Sequence, residues 1–149
     1  MSVLTVLRAL RTLEESVAIS DPIAIPRPVV YLVEPRVTAK AAQQQAIITN
    51  VPIESEEARM GNYREDTHTV RVRGTFYDAN WDRACEIAVA YFDATWAALD
   101  SQRPSDQRLS GTVDYLTLHA ERDLLQSFDG RPGWEIFVTF TLFETVVPV

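Results

Sequence analysis

The side chains that could perform metal chemistry are two histidines, and their surroundings do not supply a ligand set. His68 and His119 both fall in strand-like runs close to an acidic residue, Asp66 and Glu121 respectively. A transition-metal site needs three or four convergent ligands, and no second histidine or cysteine lies at ligand spacing from either one. We therefore expect ordinary strand histidines and no bound metal.

Covalent chemistry is equally poorly supported. Cys85 falls on the apolar stripe of a long predicted helix, so we expect a buried, inert thiol rather than a nucleophile. No G-x-S-x-G elbow is present, and the chain's five glycines form neither a Walker nor a dinucleotide pattern. The sequence predicts no catalytic residues and no cofactor, so we expect function to depend on shape and surfaces.

Composition is that of one domain spanning residues 1–149, with 46% hydrophobic and 23% charged residues. The net charge of -7 makes an electrostatic grip on nucleic acid improbable, because phosphate binding requires clustered Lys and Arg. Arg8 and Arg11 interrupt the first apolar run before it reaches signal-peptide length. No run approaches the roughly 18 apolar residues of a membrane span, so we expect a soluble, unexported chain.

Two helices position the rest of the chain. The first is amphipathic and is expected to lie on a sheet. Its apolar positions are Val3, Val6, Leu7, Leu10, Leu13 and Val17, and its polar positions are Arg8, Arg11, Glu14 and Glu15. The second helix, residues 81–101, follows a capping segment at residues 78–80. Its main apolar stripe is Trp81, Cys85, Ala88, Phe92, Trp96 and Leu99, and its smaller second face is Ile87, Tyr91, Ala94 and Ala98.

Strand-like runs occupy residues 28–33, 46–51, 67–77, 111–120 and 134–147. In residues 67–77, apolar and polar positions alternate, which indicates a strand buried on one side and hence an antiparallel sheet. Residues 37–45 are weakly patterned, with helix as an alternative for residues 38–45. We predict an α+β fold: a mainly antiparallel sheet of four to five strands, two helices packed on it, and a closing C-terminal hairpin, with residues 28–33 at an edge.

Two polar stretches, residues 52–66 and 123–133, are predicted to be long exposed loops, where binding surfaces concentrate. Simple disorder is the alternative for each. The candidate subunit or tube interface consists of Glu54, Glu56, Arg59, Arg64, Arg71, Arg73, Asp123, Asp129 and Arg131. Arg71 and Arg73 are either edge gatekeepers against aggregation or salt-bridge partners across an interface.

The long helix also carries an acidic wedge between its two apolar faces, formed by Asp82, Glu86, Asp93 and Asp100. These carboxylates would repel DNA in a lumen or face a basic neighbour. The simpler interpretation is a solvated helix face, which most surface helices keep.

The order of these elements resembles that of the tail-terminator, or tail-completion, proteins of long-tailed bacteriophages. The resemblance comprises the opening helix, the proline-bounded run at 29–33, the strand at 67–73, the long helix to Leu99 and the hairpin carrying residues 128–131 before 134–138. It implies a small α+β subunit that forms a ring, typically a hexamer, at the head-proximal end of the virion tail. Residues 36–45 depart from the family pattern and leave the order of the first two strands open.

The resemblance further implies that the ring is assembled in the host cytoplasm, binds the major tail tube protein and a head-connector protein, and ends tube polymerisation. DNA would pass through it without specific binding. The alternatives are another head-tail connector, such as a head-closure or adaptor protein, and a small-molecule-binding α+β domain.

Overall fold

The computed structural model describes residues 3–17, 29–31, 46–102, 115–120, 125–128 and 130–145. Its elements in chain order are α1 (Val3–Glu15), β1 (Val29–Tyr31), β2 (Ala46–Met60), β3 (Tyr63–Phe76), α2 (Trp81–Asp100), β4 (Tyr115–Ala120), β5 (Gln126–Phe128) and β6 (Arg131–Thr145). One six-stranded sheet runs in the order β1-β2-β3-β6-β4, with β5 paired to β6. The first pair is parallel and the others are antiparallel. The predicted α+β class with a mainly antiparallel sheet is confirmed.

The short strand expected within residues 28–33 forms as β1, at the edge of the sheet and parallel to β2. This pairing fixes the order of the first two strands. Residues 32–45 and 103–114, which include the weakly patterned stretch, lie outside the described residues.

The β2–β3 hairpin is much longer than expected, and the predicted loop at residues 52–66 is wrong. β2 and β3 stay paired to the end, where Met60 lies opposite Tyr63 and Gly61 adopts a φ of 62°, a left-handed value that suits glycine. The register shifts between Pro52 and Glu54, which leaves Ile53 in a bulge. Beyond the bulge β2 is exposed on both faces, so its backbone pairs without the apolar alternation that marks a half-buried strand.

The C-terminal hairpin is formed by β4 and β6, as expected, but the loop predicted at 123–133 is partly strand. β5 folds back on the start of β6, with Phe128 opposite Arg131. Its three residues are too short a run to show a period in the sequence. Residues 121–124 and 129, which include Asp123 and Asp129, lie outside the described residues.

Helix α2 begins where the capping segment predicted it. The Asn80 side-chain oxygen accepts hydrogen bonds from the backbone N–H groups of Asp82 at 3.0 Å and Arg83 at 3.3 Å. Its rotation differs from the prediction: the side facing the core lies between the two expected faces. The buried residues are Ala84, Ile87, Ala88, Tyr91, Thr95 and Leu99.

Both helices cover one face of the sheet. α1 contacts β1 and β2, α2 contacts β3 and β6, and the helices contact each other. Aromatic packing joins α2 to the sheet: the Phe76 and Tyr91 rings stack with centroids 5.4 Å apart, and Trp134 Nε1 donates a hydrogen bond to the Ala88 carbonyl at 2.9 Å. No helix among the described residues covers the opposite face.

Candidate interaction surfaces

The distal half of the β2–β3 hairpin, residues 53–66, forms a charged arm. Ile53 is 51% exposed, and Glu54 and Glu56 are exposed beside it. The arm carries five carboxylates and two guanidinium groups, so it is acidic. Its arginines lie close to local carboxylates: Arg59 Nε lies 2.8 Å from Glu57 and Arg64 Nη2 lies 3.1 Å from Asp66.

The base of the arm is tied together by polar side chains. His68 is buried, and its Nδ1 lies 2.8 Å from the Ser55 hydroxyl on the neighbouring strand. Burial acts to raise the pKa of Asp66, but nearby positive charges, including the Arg64 guanidinium, outweigh it, so this pKa lies below its usual value. The contact of Ser55 with His68 joins β2 to β3 at the base of the arm, and β3 stays paired with β6 as far as Tyr63.

His119 lies apart from that cluster. It is exposed on β4, where its ring lies 6.4 Å from that of Phe137. Nowhere in the described ranges do three histidine, cysteine or acidic side chains gather as a metal ligand set would.

Arg71 and Arg73 lie on β3, which is flanked by β2 and β6, so the edge-gatekeeper interpretation is wrong. Both side chains reach Glu135 on β6: Arg73 Nη2 lies 2.6 Å and Arg71 Nε 4.0 Å from the same carboxylate oxygen. The Arg73 guanidinium also lies 4.4 Å from the centre of the Phe128 ring. The two arginines therefore connect β3 to β6, and Arg73 also connects β3 to β5, within one chain.

The end of the sheet opposite the arm carries exposed aromatic rings, at Tyr77 and Trp81, which are 49% and 53% exposed. Arg131 lies over the Tyr77 ring, 5.8 Å from its centre. We call Tyr77, Trp81 and Arg131 the aromatic end. Of these, sequence reasoning proposed Arg131 alone. Tyr77 follows the last residue of β3 and Trp81 is the first residue of α2. Both side chains lie beyond the region where α2 packs on the sheet, and this position between two elements is the signal in the sequence.

The acidic wedge of α2 lies on the side of that helix away from the core, and all four carboxylates are exposed. Cys85 is partly exposed rather than buried, which corrects the prediction; the rotation of α2 turns it toward the rim of the core. Together with Glu86, Val89, Ala90 and Asp93 it lines an open depression of about 470 Å³.

A buried carboxyl lies between α1 and the sheet, at a position expected to be polar and exposed. Glu14 is 1% exposed, and Asn50 Nδ2 on β2 donates a hydrogen bond to its Oε2 at 2.7 Å. Burial raises the pKa of Glu14 to about 8, although the bond from Asn50 acts in the opposite direction. The sequence did carry a signal: Leu7, Leu10, Glu14 and Val17 follow one three- and four-residue repeat.

No protein-family model matches the chain, and no curated protein matches it. None of the described helices is long and apolar enough to cross a membrane.

Proposed function

We propose that this chain is a structural subunit of a long-tailed bacteriophage that acts as a tail terminator. Copies of it form a ring that caps the tail tube, ends tube polymerisation and joins the tail to the head connector. The protein is part of the virion at the head-proximal end of the tail, and it performs no bond-making chemistry.

The observation that carries this proposal is the arm. The outer part of β2 is exposed on both faces from Ile53 to Arg59, so this part of the hairpin buries little apolar surface and adds little to the stability of its own domain. Such an extension suits contact with another subunit, and the sheet face that neither described helix covers offers a second surface. An α+β body with both helices on one side of the sheet agrees with what the tail-terminator resemblance implies.

The exposed acidic wedge supports the part of the proposal that concerns DNA. Carboxylates that line a lumen repel the phosphate backbone and let DNA slide without sticking, which suits a chain with a net charge of -7. We propose Asp82, Glu86, Asp93 and Asp100 as the lumen-facing set. A map of the assembled ring that places these carboxylates on the outer rim would remove this assignment.

Light scattering over a range of protein concentrations, followed by electron microscopy, tests the ring. We expect a particle several times the 16.8 kDa monomer mass, with a central hole. The purified protein should also cap tail tubes and stop their growth in vitro. A protein that stays monomeric both alone and on tube ends would contradict the proposal.

A head-closure or adaptor role would use the same kind of ring on a different neighbour, so the capping assay separates it from tail termination. A small-molecule-binding role is the weaker alternative. Such sites are concave and carry a few convergent polar groups. The depression beside Cys85 is open, and its described lining comes from one helix.

A further inference from the structure

We propose that the arm of one copy docks head-to-tail on the aromatic end of the next copy. The contact joins Ile53, Glu54 and Glu56 to Tyr77, Trp81 and Arg131. This inference rests on the proposed ring function and names the surfaces that would close that ring.

The first argument is placement. β3 runs from the tip of the arm at Tyr63 to Phe76, and Tyr77 and Trp81 follow directly. β6 runs in the opposite direction and begins beside them at Arg131. By the β2–β3 register, Glu54 and Glu56 lie opposite Thr69 and Thr67, near the middle of β3, whereas the aromatic end follows the last residue of that strand. Two different surfaces of one chain, separated along the same strand, give a heterologous contact, which closes into a ring when the rotation between copies allows it.

The second argument is chemical complementarity. Glu54 and Glu56 are exposed carboxylates, and the guanidinium of Arg131 lies on a half-exposed tyrosine ring. Ile53 presents an apolar side chain, and the rings of Tyr77 and Trp81 present apolar surface. Tyr, Trp and Arg are the residues that contribute most to binding at protein interfaces. The carboxylates and Ile53 of one copy would thus meet the Arg131 guanidinium and the two rings of the next copy.

The proposal is tested with two charge-reversal variants, E54R/E56R on the arm and R131E on the aromatic end. Each alone should raise the protein concentration at half-assembly at least tenfold, measured by sedimentation velocity. A 1:1 mixture should assemble more tightly than either variant, because each reversed surface then meets a reversed partner. E15R, which reverses an exposed carboxylate on α1, is the control and should assemble like the unmodified chain.

Trp81→Ala provides a test that does not alter charge. Trp81 is half exposed at the first residue of α2, so its removal should weaken assembly tenfold or more while circular dichroism shows an unchanged fold. Retention of unmodified assembly by E54R/E56R, R131E and W81A would overturn this contact and leave the ring proposal standing.

Other outcomes overturn the contact in distinguishable ways. A complex that stops at two copies would show a two-fold contact in place of a head-to-tail one. If the variants form normal rings but fail to cap tubes, these surfaces bind the tube protein and not a second copy of the chain. An unmodified chain that never associates, alone or on tubes, would instead refute the proposed function.

Discussion

At the scale of single residues, Glu14 is the side chain that most strongly links this fold to pH. Its carboxyl is held between α1 and β2 by one hydrogen bond from Asn50, and its other oxygen, Oε1, is buried without a hydrogen-bond partner in the described part of the chain. A buried carboxyl without a cation is favoured in its protonated form. α1 is therefore packed against the sheet through a neutral acid.

This predicts that stability falls as pH rises. The pKa of Glu14 is about 8 in the folded chain, against 4.5 for an unperturbed glutamate side chain. Below about 4.5 both states hold the proton and no penalty exists. Between the two pKa values the unfolded chain releases its proton first, so the free energy of unfolding should fall by up to about 1.4 kcal/mol per pH unit. Above about 8 this contribution should be flat.

Urea unfolding between pH 5 and pH 9 measures the effect. Glu14→Gln keeps the shape of the side chain without the titration, so it should flatten the pH dependence and stabilise the protein near pH 8. Glu15→Gln removes an exposed charge that contributes a smaller part of the raised pKa of Glu14, so it should leave most of the dependence in place. An unchanged pH slope in the Glu14 variant would show that the carboxyl does not control it.

Glu135 is the second residue whose substitution should lower the stability of the fold. It receives Arg73 through hydrogen bonds from Nε at 2.9 Å and Nη2 at 2.6 Å, and Arg71 lies nearby. Glu135→Gln would leave two partly buried guanidinium groups close together, so we expect a loss of about 1–3 kcal/mol. A double-mutant cycle with Arg73→Gln isolates the pair. A coupling energy near zero would mean that the contact is solvent-screened.

At the scale of elements, the contact between β3 and β6 depends on a glycine. A Cβ built on Gly74 would lie 2.5 Å from Cζ2 of the Trp134 ring, which is itself buried beneath α2. Gly74→Ala should therefore destabilise the fold by about 1–3 kcal/mol through overpacking. Thermal unfolding measures this, with Thr75→Ala as the neighbouring control. Adding Trp134→Phe, which shortens the ring system, should recover part of the loss in the double variant; full additivity would argue against a steric cause.

The start of α2 offers a test of capping. Asn80→Ala removes the acceptor for two backbone N–H groups and should cost about 1 kcal/mol, seen as a lower melting temperature. Asn80→Asp keeps the acceptor and adds a negative charge at the positive end of the helix, so it should be neutral or slightly stabilising. Equal losses in both variants would contradict a capping role.

The elements predictable from sequence are those specified by local signals. Asn80 and the apolar residues after it define the start and length of α2, and the alternation around Val70 and Val72 defines the inner part of β3. The rotation of α2 could not be predicted, because its apolar surface is wider than the stripe that packs. The outer part of β2 could not be predicted either, since its pairing depends on backbone hydrogen bonds to β3 and leaves no apolar period.

The candidate surfaces likewise contain some residues that local sequence predicts and others that depend on tertiary packing. Glu54, Glu56 and Arg131 are candidates from the sequence alone, because charged residues in turn-rich sequence indicate contact surfaces. Tyr77 and Trp81 were assigned to a strand face and a helix stripe, since local pattern says nothing about where the covering layer ends. That boundary is set by the tertiary packing of α2 on β3 and β6.

At the scale of the whole molecule, the tip of the arm is a part of the sheet in which β3 pairs with β2 and with the last described residues of β6. Replacing residues 58–65 by Asn-Gly would join the opposed residues Glu57 and Asp66 through a two-residue hairpin turn. The removed segment is exposed or half-exposed where its side chains are described. We expect the melting temperature to change by less than about 5 °C, since little apolar area is lost. A cooperative loss of the whole fold would show that the tip supports the body.

The position of β6 has a consequence for how the chain folds during synthesis. β6 is the last described strand, yet it lies inside the sheet, between β3 and β4, and it supplies Trp134, Ile136, Val138 and Phe140 to the core. Before it leaves the ribosome, β3 has an open edge and α2 lacks part of the surface that it covers. Pairing across so many residues is slow compared with local folding. An incomplete chain therefore cannot build the aromatic end around Arg131, so joining a ring would be restricted to finished subunits.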